Sequence, residues 1–150
     1  MTDHEPPRDE LLQPSLSAGA TEADPPYNIF YALLPGLIGG PPAVTIAMVL
    51  IARRLNAARS VIVAIIAIGV LALVIAAVVI DREPDLTAGS IFRVAAVITY
   101  AAQFPLLVRR FRSWQLRGKD TAPFVGAGFG LAIAGALVCG VLGASVAVGE

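Results

Sequence analysis

The side chains able to do chemistry are few, and they are scattered among long apolar runs. The single histidine is His4 and the single cysteine is Cys139. One of each does not make a typical zinc site within a chain, and one cysteine excludes an intrachain disulfide. Among apolar neighbours, Cys139 reads as an inert small hydrophobe. No Asp, Glu or His lies between Tyr27 and Ile80, nor in the apolar stretches 90–108 and 124–148. The ionisable relay that proton-coupled transport usually needs is therefore missing. So is the nucleophile–base pair or aspartate pair of an intramembrane hydrolase. Catalysis, a resident metal and a cofactor are not expected.

Local backbone chemistry is concentrated in Leu34-Pro35-Gly36-Leu37-Ile38-Gly39-Gly40-Pro41-Pro42. A proline inside a helix removes a hydrogen bond to the carbonyl four residues back. Pro41 thus frees the carbonyl of Leu37, and Pro42 that of Ile38. Gly39 and Gly40 lower the cost of bending. A first helix kinked or broken between Pro35 and Pro42 is expected, either as a packing kink or as a half-helix start facing an anion. Gln103, with Thr99 and Tyr100 one turn before it on the same face, is the expected donor to the carbonyl of Leu37, Ile38 or a neighbour. Pro41 lies 13 residues past Asn28, and Gln103 lies 13 past Ser90. Helices entering from one side would place both roughly 20 Å deep. Thr99 is also expected to bond back to its own helix. Arg93, the one charge well inside a span, is expected to reach the headgroups or pair with Asp81, Glu83 or Asp85, or else to attract an anion in an outer vestibule. It would then lie about 15 Å shallower than the break.

The elements that position these residues are four apolar stretches, at 28–52, 61–80, 90–108 and 124–148. Each is near the roughly 20 residues a spanning helix needs. Backbone in lipid must satisfy its own hydrogen bonds, so such runs predict helices. The fold class is all-α, an integral membrane four-helix bundle. Ser90 is the expected N-cap of the third helix. Asp120 or Thr121 is expected to cap the fourth, with Pro123 in its first turn. The chain is 57% hydrophobic and 15% charged, against about 25% charged in a typical soluble domain. Ten of its 11 basic residues are Arg. With abundant Ala, Gly and Pro, this suggests a GC-rich bacterial genome.

Residues 1–27 carry Asp3, Glu5, Asp9, Glu10, Glu22 and Asp24 against Arg8 alone. They form an expected disordered, proline-rich tail ahead of a membrane domain at 28–150. Charge is polarised between the loops. Arg53, Arg54 and Arg59 follow the first stretch; Arg109, Arg110, Arg112, Arg117 and Lys119 follow the third. The positive-inside rule makes loops 53–60 and 109–123 cytoplasmic, in a bacterial inner membrane. If all four stretches cross, both termini lie outside. Arg109, Arg110, Arg112, Trp114 and Arg117, on a continuation of the third helix, read as lipid anchors rather than a nucleic-acid site. In the fourth helix, Gly126 and Gly130 form a small-xxx-small pair. Gly128, Ala132, Ala136, Gly140 and Ala144 form a ladder of small residues four apart. Both patterns predict a packing face for another helix of this chain, a partner membrane protein or a second copy.

The run Leu37-Ile38-Gly39-Gly40-Pro41, followed by Ala52-Arg53-Arg54-Leu55, resembles a pattern in small uncharacterised bacterial membrane proteins. Those pair a Gly-Gly-Pro first span with a basic exit. The resemblance covers about 20 residues and implies no activity. The leading functional expectation is a non-catalytic accessory or assembly subunit of a membrane complex. The alternatives are a self-contained channel, carrier or holin-like pore-former using the helix-one break, and a membrane-bound immunity or stress protein.

Overall fold

A computed structural model describes residues 25–82, 87–116 and 120–147. The expected tail, 1–27, lies almost wholly outside the described residues. The described residues form four α-helices: α1 (Leu33–Arg54), α2 (Arg59–Arg82), α3 (Ala88–Gln115) and α4 (Val125–Ala147). A short 3-10 turn, Ile29–Ala32, leads into α1. Three stretches are long and apolar enough to cross a membrane: Ile29–Arg54, Arg59–Arg82 and Ala88–Gln115. The described part of α4 meeting the apolar criterion, Gly126–Val141, is shorter.

α2 is apolar on every side, yet only Ile65, Gly69 and Ala76 are buried along it. Val63, Val70, Leu71, Val74 and Ile75 are each more than half exposed. Such a surface is unfavourable in water and matches the hydrocarbon of a bilayer.

α1 does not run straight. Gly40, with φ 67° and ψ −164°, divides it into a first arm (29–39) and a second arm (41–54). The two arms fold back on one another. A Cβ at Gly36 would collide with the side chain of Val44. Arg54 Nη1 donates to the Pro25 carbonyl at 2.9 Å, and Arg54 Nη2 to the Tyr27 hydroxyl at 3.1 Å. The guanidinium also sits 4.1 Å above the Tyr27 ring. In one continuous helix, Tyr27 and Arg54 would be about 40 Å apart. α1 is therefore a re-entrant hairpin that enters and leaves at one end of the bundle.

Neighbouring rings confirm the reversal. Phe30 packs on Phe104 and Phe111, with centroids 5.8 and 6.2 Å away. Ten residues later, a Cβ at Gly40 would lie 3.5 Å from Phe92 Cβ. The first arm is thus antiparallel to α3, and the second arm runs parallel to it. The second arm ends in a Schellman motif. Asn56 takes a left-handed φ of 49°, the Ala57 N–H bonds the Ala52 carbonyl, and the Asn56 N–H bonds the Arg53 carbonyl.

This corrects the expected arrangement of the chain ends. The Ala122 N–H donates to the Pro26 carbonyl at 3.0 Å, and Tyr27 meets Phe124 edge-on at 5.1 Å. The first described residues thus lie at the end of loops 53–60 and 109–123, whereas a full first crossing would have put them at the other end. α4 begins beside Tyr27 and runs away from it, so its C-terminal end lies opposite. Helix starts also differ. α3 is capped at Thr87, whose hydroxyl pairs with that of Ser90 at 2.7 Å, so Ser90 lies inside the first turn. α4 begins at Val125, beyond Pro123, so neither Asp120 nor Thr121 caps it.

Candidate functional site: the re-entrant hairpin and its polar tether

The hairpin tip is assembled from its sequence in a simple way. Gly40 occupies a backbone region open essentially to glycine alone. Pro41 and Pro42 then open the second arm, where a missing N–H leaves nothing unsatisfied and a fixed φ favours the helix. Gly39, Gly40 and Pro41 are all buried. Irregular backbone at membrane depth is tolerated only against protein, and here Phe92, Ala132, Gly135 and Cys139 supply that cover. The Cys139 thiol points at the Gly39 carbonyl, with Sγ 3.6 Å from the oxygen.

One turn past the tip, Thr45 Oγ1 donates to the Pro41 carbonyl at 2.9 Å. The same oxygen accepts from Gln103 Nε2 at 3.2 Å. Gln103 Nε2 also donates to the Ile65 carbonyl of α2, at 2.9 Å. Gln103 is fully buried, so one amide links α3 to both α1 and α2. Flipping the amide would set its oxygen against the Ile65 carbonyl, which fixes the orientation. Gln103 Oε1 is left without a partner. Gly69 lets the arms come this close: a Cβ there would run into Thr45 Oγ1.

Gln103 is therefore buried at an interhelical node, as its polarity within an apolar run suggested, but its partners are not the carbonyls of Leu37 and Ile38. Thr99 is buried and bonds back to Ala95 of its own helix at 2.7 Å. The Tyr100 hydroxyl makes a long contact of 3.5 Å to the Ile29 carbonyl, tying α3 to the first arm. Thr45, Gly69 and the Ile65 carbonyl were not singled out in the sequence. The available signals were a hydroxyl four residues after Pro41 and a lone glycine in a span of larger residues.

The node gives a prediction of sign. Gln103→Leu loses two interhelical hydrogen bonds, which average about 0.6 kcal/mol each in membranes. It also removes a buried acceptor whose lack of a partner costs about 1–3 kcal/mol. Stability within about 1 kcal/mol of the parent is expected for Gln103→Leu. Gln103→Glu sets carboxylate oxygens against the Ile65 carbonyl and should cost about 2.5–3.5 kcal/mol. Thermal unfolding in detergent at neutral pH separates the two. Equal losses would contradict this account of the node.

Two cavities flank the hairpin. A groove of about 810 Å³ lies between the first arm and the start of α4, with Tyr31, Leu34, Pro35, Gly126 and Phe129 among its walls. A smaller cavity of about 330 Å³ lies at the tip, where Gly40, Phe92, Arg93, Cys139 and Gly140 meet. Arg93 and the helix break thus share one cavity, against the expected 15 Å offset. The offset was counted from the wrong end, because the hairpin reaches its tip from the Arg54 side. Neither cavity is lined by Thr45, Thr99, Tyr100 or Gln103.

The α4 packing face also differs from the expected ladder. The residues seated against the hairpin or buried are Gly128, Ala132, Gly135 and Cys139, spaced four, three and four apart. A Cβ at Gly126, Gly130 or Gly140 would meet nothing within 4 Å. Ala136 and Ala144 are exposed and line the tip cavity. A strict four-residue repeat drifts about 40° per step around a helix of 3.6 residues per turn, so such a ladder winds off any single face.

At the basic end, Arg110 Nη1 donates to the Asn56 carbonyl at 3.1 Å, joining α3 to the end of the hairpin. Arg109 and Arg112 are exposed. Trp114 Nε1 donates to the Asp120 carbonyl at 3.4 Å. Phe111, between them, is fully buried and belongs to the core. Arg117 lies outside the described residues.

These features define a class: a membrane-embedded helical bundle built around a re-entrant hairpin. Compared with protein-family models, curated proteins and solved structures, the chain matches none.

Proposed function

We propose that this chain is a non-catalytic multi-pass protein of the bacterial cytoplasmic membrane that acts as an accessory or assembly subunit of a larger complex. The observation that carries this reading is how the interior polar groups are used. Gln103 bridges α3 to Thr45 of α1 and to the Ile65 carbonyl of α2, while the Thr45 and Thr99 hydroxyls donate back within their own helices. The two cavities flanking the hairpin are lined by other residues. On this reading α2, α3 and α4 cross the bilayer and α1 re-enters. By the positive-inside rule, loops 53–60 and 109–123 and the N-terminal segment face the cytoplasm, and the C-terminus faces out.

α4 leaves Gly126, Gly130 and Gly140 open beside exposed Phe129, Leu137 and Val141. Small residues among larger ones let a partner helix approach closely. The test is gentle extraction of the tagged protein followed by mass spectrometry of what accompanies it. A stoichiometric membrane partner is expected. Gly130→Leu should leave the melting of the isolated protein unchanged, because that position is exposed and lines neither cavity, while reducing partner recovery about tenfold. Recovery of the chain alone, together with ion or solute flux in liposomes, would replace this reading with that of a channel.

A further inference from the structure

We propose that the acidic N-terminal tail, residues 1–24, docks on the basic end of its own bundle. The hairpin makes this possible and rests on geometry independent of the accessory-subunit reading. Because α1 doubles back, Pro25 lies against Arg54 and Pro26 is bonded to Ala122. The tail therefore leaves the bundle between the end of the hairpin and the start of α4. Arg53, Arg54, Arg59, Arg109, Arg110 and Arg112 cluster at this same end, and Arg117 and Lys119 follow in sequence. Asp120 is the acidic residue among them. A first helix that crossed fully would instead deliver the tail to the end where Asp81 and Arg82 close α2.

The charges are complementary. The tail carries Asp3, Glu5, Asp9, Glu10, Glu22 and Asp24 against Arg8. In sequence, Asp24 and Glu22 come one and three residues before Pro25, whose carbonyl accepts from Arg54. Reach is no obstacle: 24 residues extend to about 80 Å, well beyond the width of a four-helix bundle. A tethered segment also meets its surface at an effective concentration near the millimolar range, so individually weak pairs add up. Arg53, Arg59, Arg109 and Arg112 are exposed and can receive carboxylates without moving the helices. The docked tail masks this surface from other anionic groups, headgroups included.

Trp114 is the only tryptophan, and it stands at the basic end. It can therefore act as an energy-transfer donor to a dansyl group on the tail. The full chain carrying Cys139→Ala and Ser15→Cys is labelled at position 15 and placed in phosphatidylcholine nanodiscs. Transfer should be high in low salt and fall about twofold or more in 1 M NaCl, where the Debye length shrinks to about 3 Å. A second chain with D3N, E5Q, D9N, E10Q, E22Q and D24N should show the low value at every salt concentration, with unchanged helical circular dichroism. Transfer that is indifferent to both salt and neutralisation overturns the proposal. In discs containing phosphatidylglycerol, transfer that stays high means that the tail holds the surface against headgroups. A fall there to the neutralised value assigns the basic end to lipid and overturns it as well.

Discussion

Gly40→Val should destabilise the protein by about 3 kcal/mol or more, whereas Gly130→Ala should be neutral or stabilise by up to about 1 kcal/mol. Two separate costs meet at Gly40. The first is conformational: φ 67° with ψ −164° is a region that residues with a Cβ occupy only at about 1–3 kcal/mol. The second is steric: the new Cβ would lie 2.8 Å from Cys139 Sγ and 3.5 Å from Phe92 Cβ. Cys139 is buried on α4, so relief requires its thiol to leave the Gly39 carbonyl for another rotamer or α4 to move. Pro41 and Pro42 hold the following φ angles and keep the second arm from absorbing the change. Gly130 is helical and open on its outer side, so a methyl there meets nothing and gains helix propensity. Melting curves in detergent measure both variants. A second readout is the side from which a membrane-impermeant thiol reagent labels Ser15→Cys. With the hairpin intact, position 15 labels from the side of loops 53–60 and 109–123. If Gly40→Val melts like its parent and labels from the same side, the turn is not held by the glycine.

Much of the architecture was legible in sequence because hydropathy alone marks segments that water cannot solvate. The cores of α2 and α3 and the body of α4 follow from that rule. The break at Gly39-Gly40-Pro41-Pro42 was legible too, since proline and glycine chemistry is local. Its angle was not. The same four residues suit a kink or a full reversal, and the 26-residue, largely apolar stretch from Ile29 to Arg54 has the length of one span. What decides is long-range: the Arg54–Tyr27 contact and the seating of Gly36 on Val44 join residues that periodicity treats as distant.

That single unread reversal accounts for the departures at Gln103 and Arg93. Gln103 was expected to reach Leu37 and Ile38 because depth was counted from Asn28 along a straight helix. With the chain turned at Gly40, Thr45 comes within 3.2 Å of it instead. Arg93 and Gly40 share a cavity for the same reason. The outside N-terminus was expected only from counting a full first crossing, and the hairpin brings Pro25 and Pro26 to the end of loops 53–60 and 109–123 instead.

Gly135→Leu should be the most damaging substitution on α4, costing more than about 3 kcal/mol and releasing the hairpin from the bundle. A Cβ at Gly135 would strike the Gly39 carbonyl oxygen, and would sit 2.8 Å from Ala43 Cβ and 2.9 Å from the Gly39 carbonyl carbon. Two of those three neighbours are backbone atoms one residue before the tip, where Gly40 permits no compensating rotation. Gly39 is the reciprocal position: its Cβ would lie 2.7 Å from the Ala132 carbonyl oxygen and 3.1 Å from Gly135 Cα. Each single alanine therefore forces the same pair of helices apart. Once one methyl has separated them, the second finds room already made, so the costs of Gly39→Ala and Gly135→Ala should not add. The double variant should fall short of the sum of the singles by about 0.5–3 kcal/mol, the usual coupling between residues in contact. A four-way comparison of melting in detergent measures this directly. Strict additivity would mean that α4 and the hairpin yield independently, and that Gly39 and Gly135 are not the point at which α4 holds the hairpin closed.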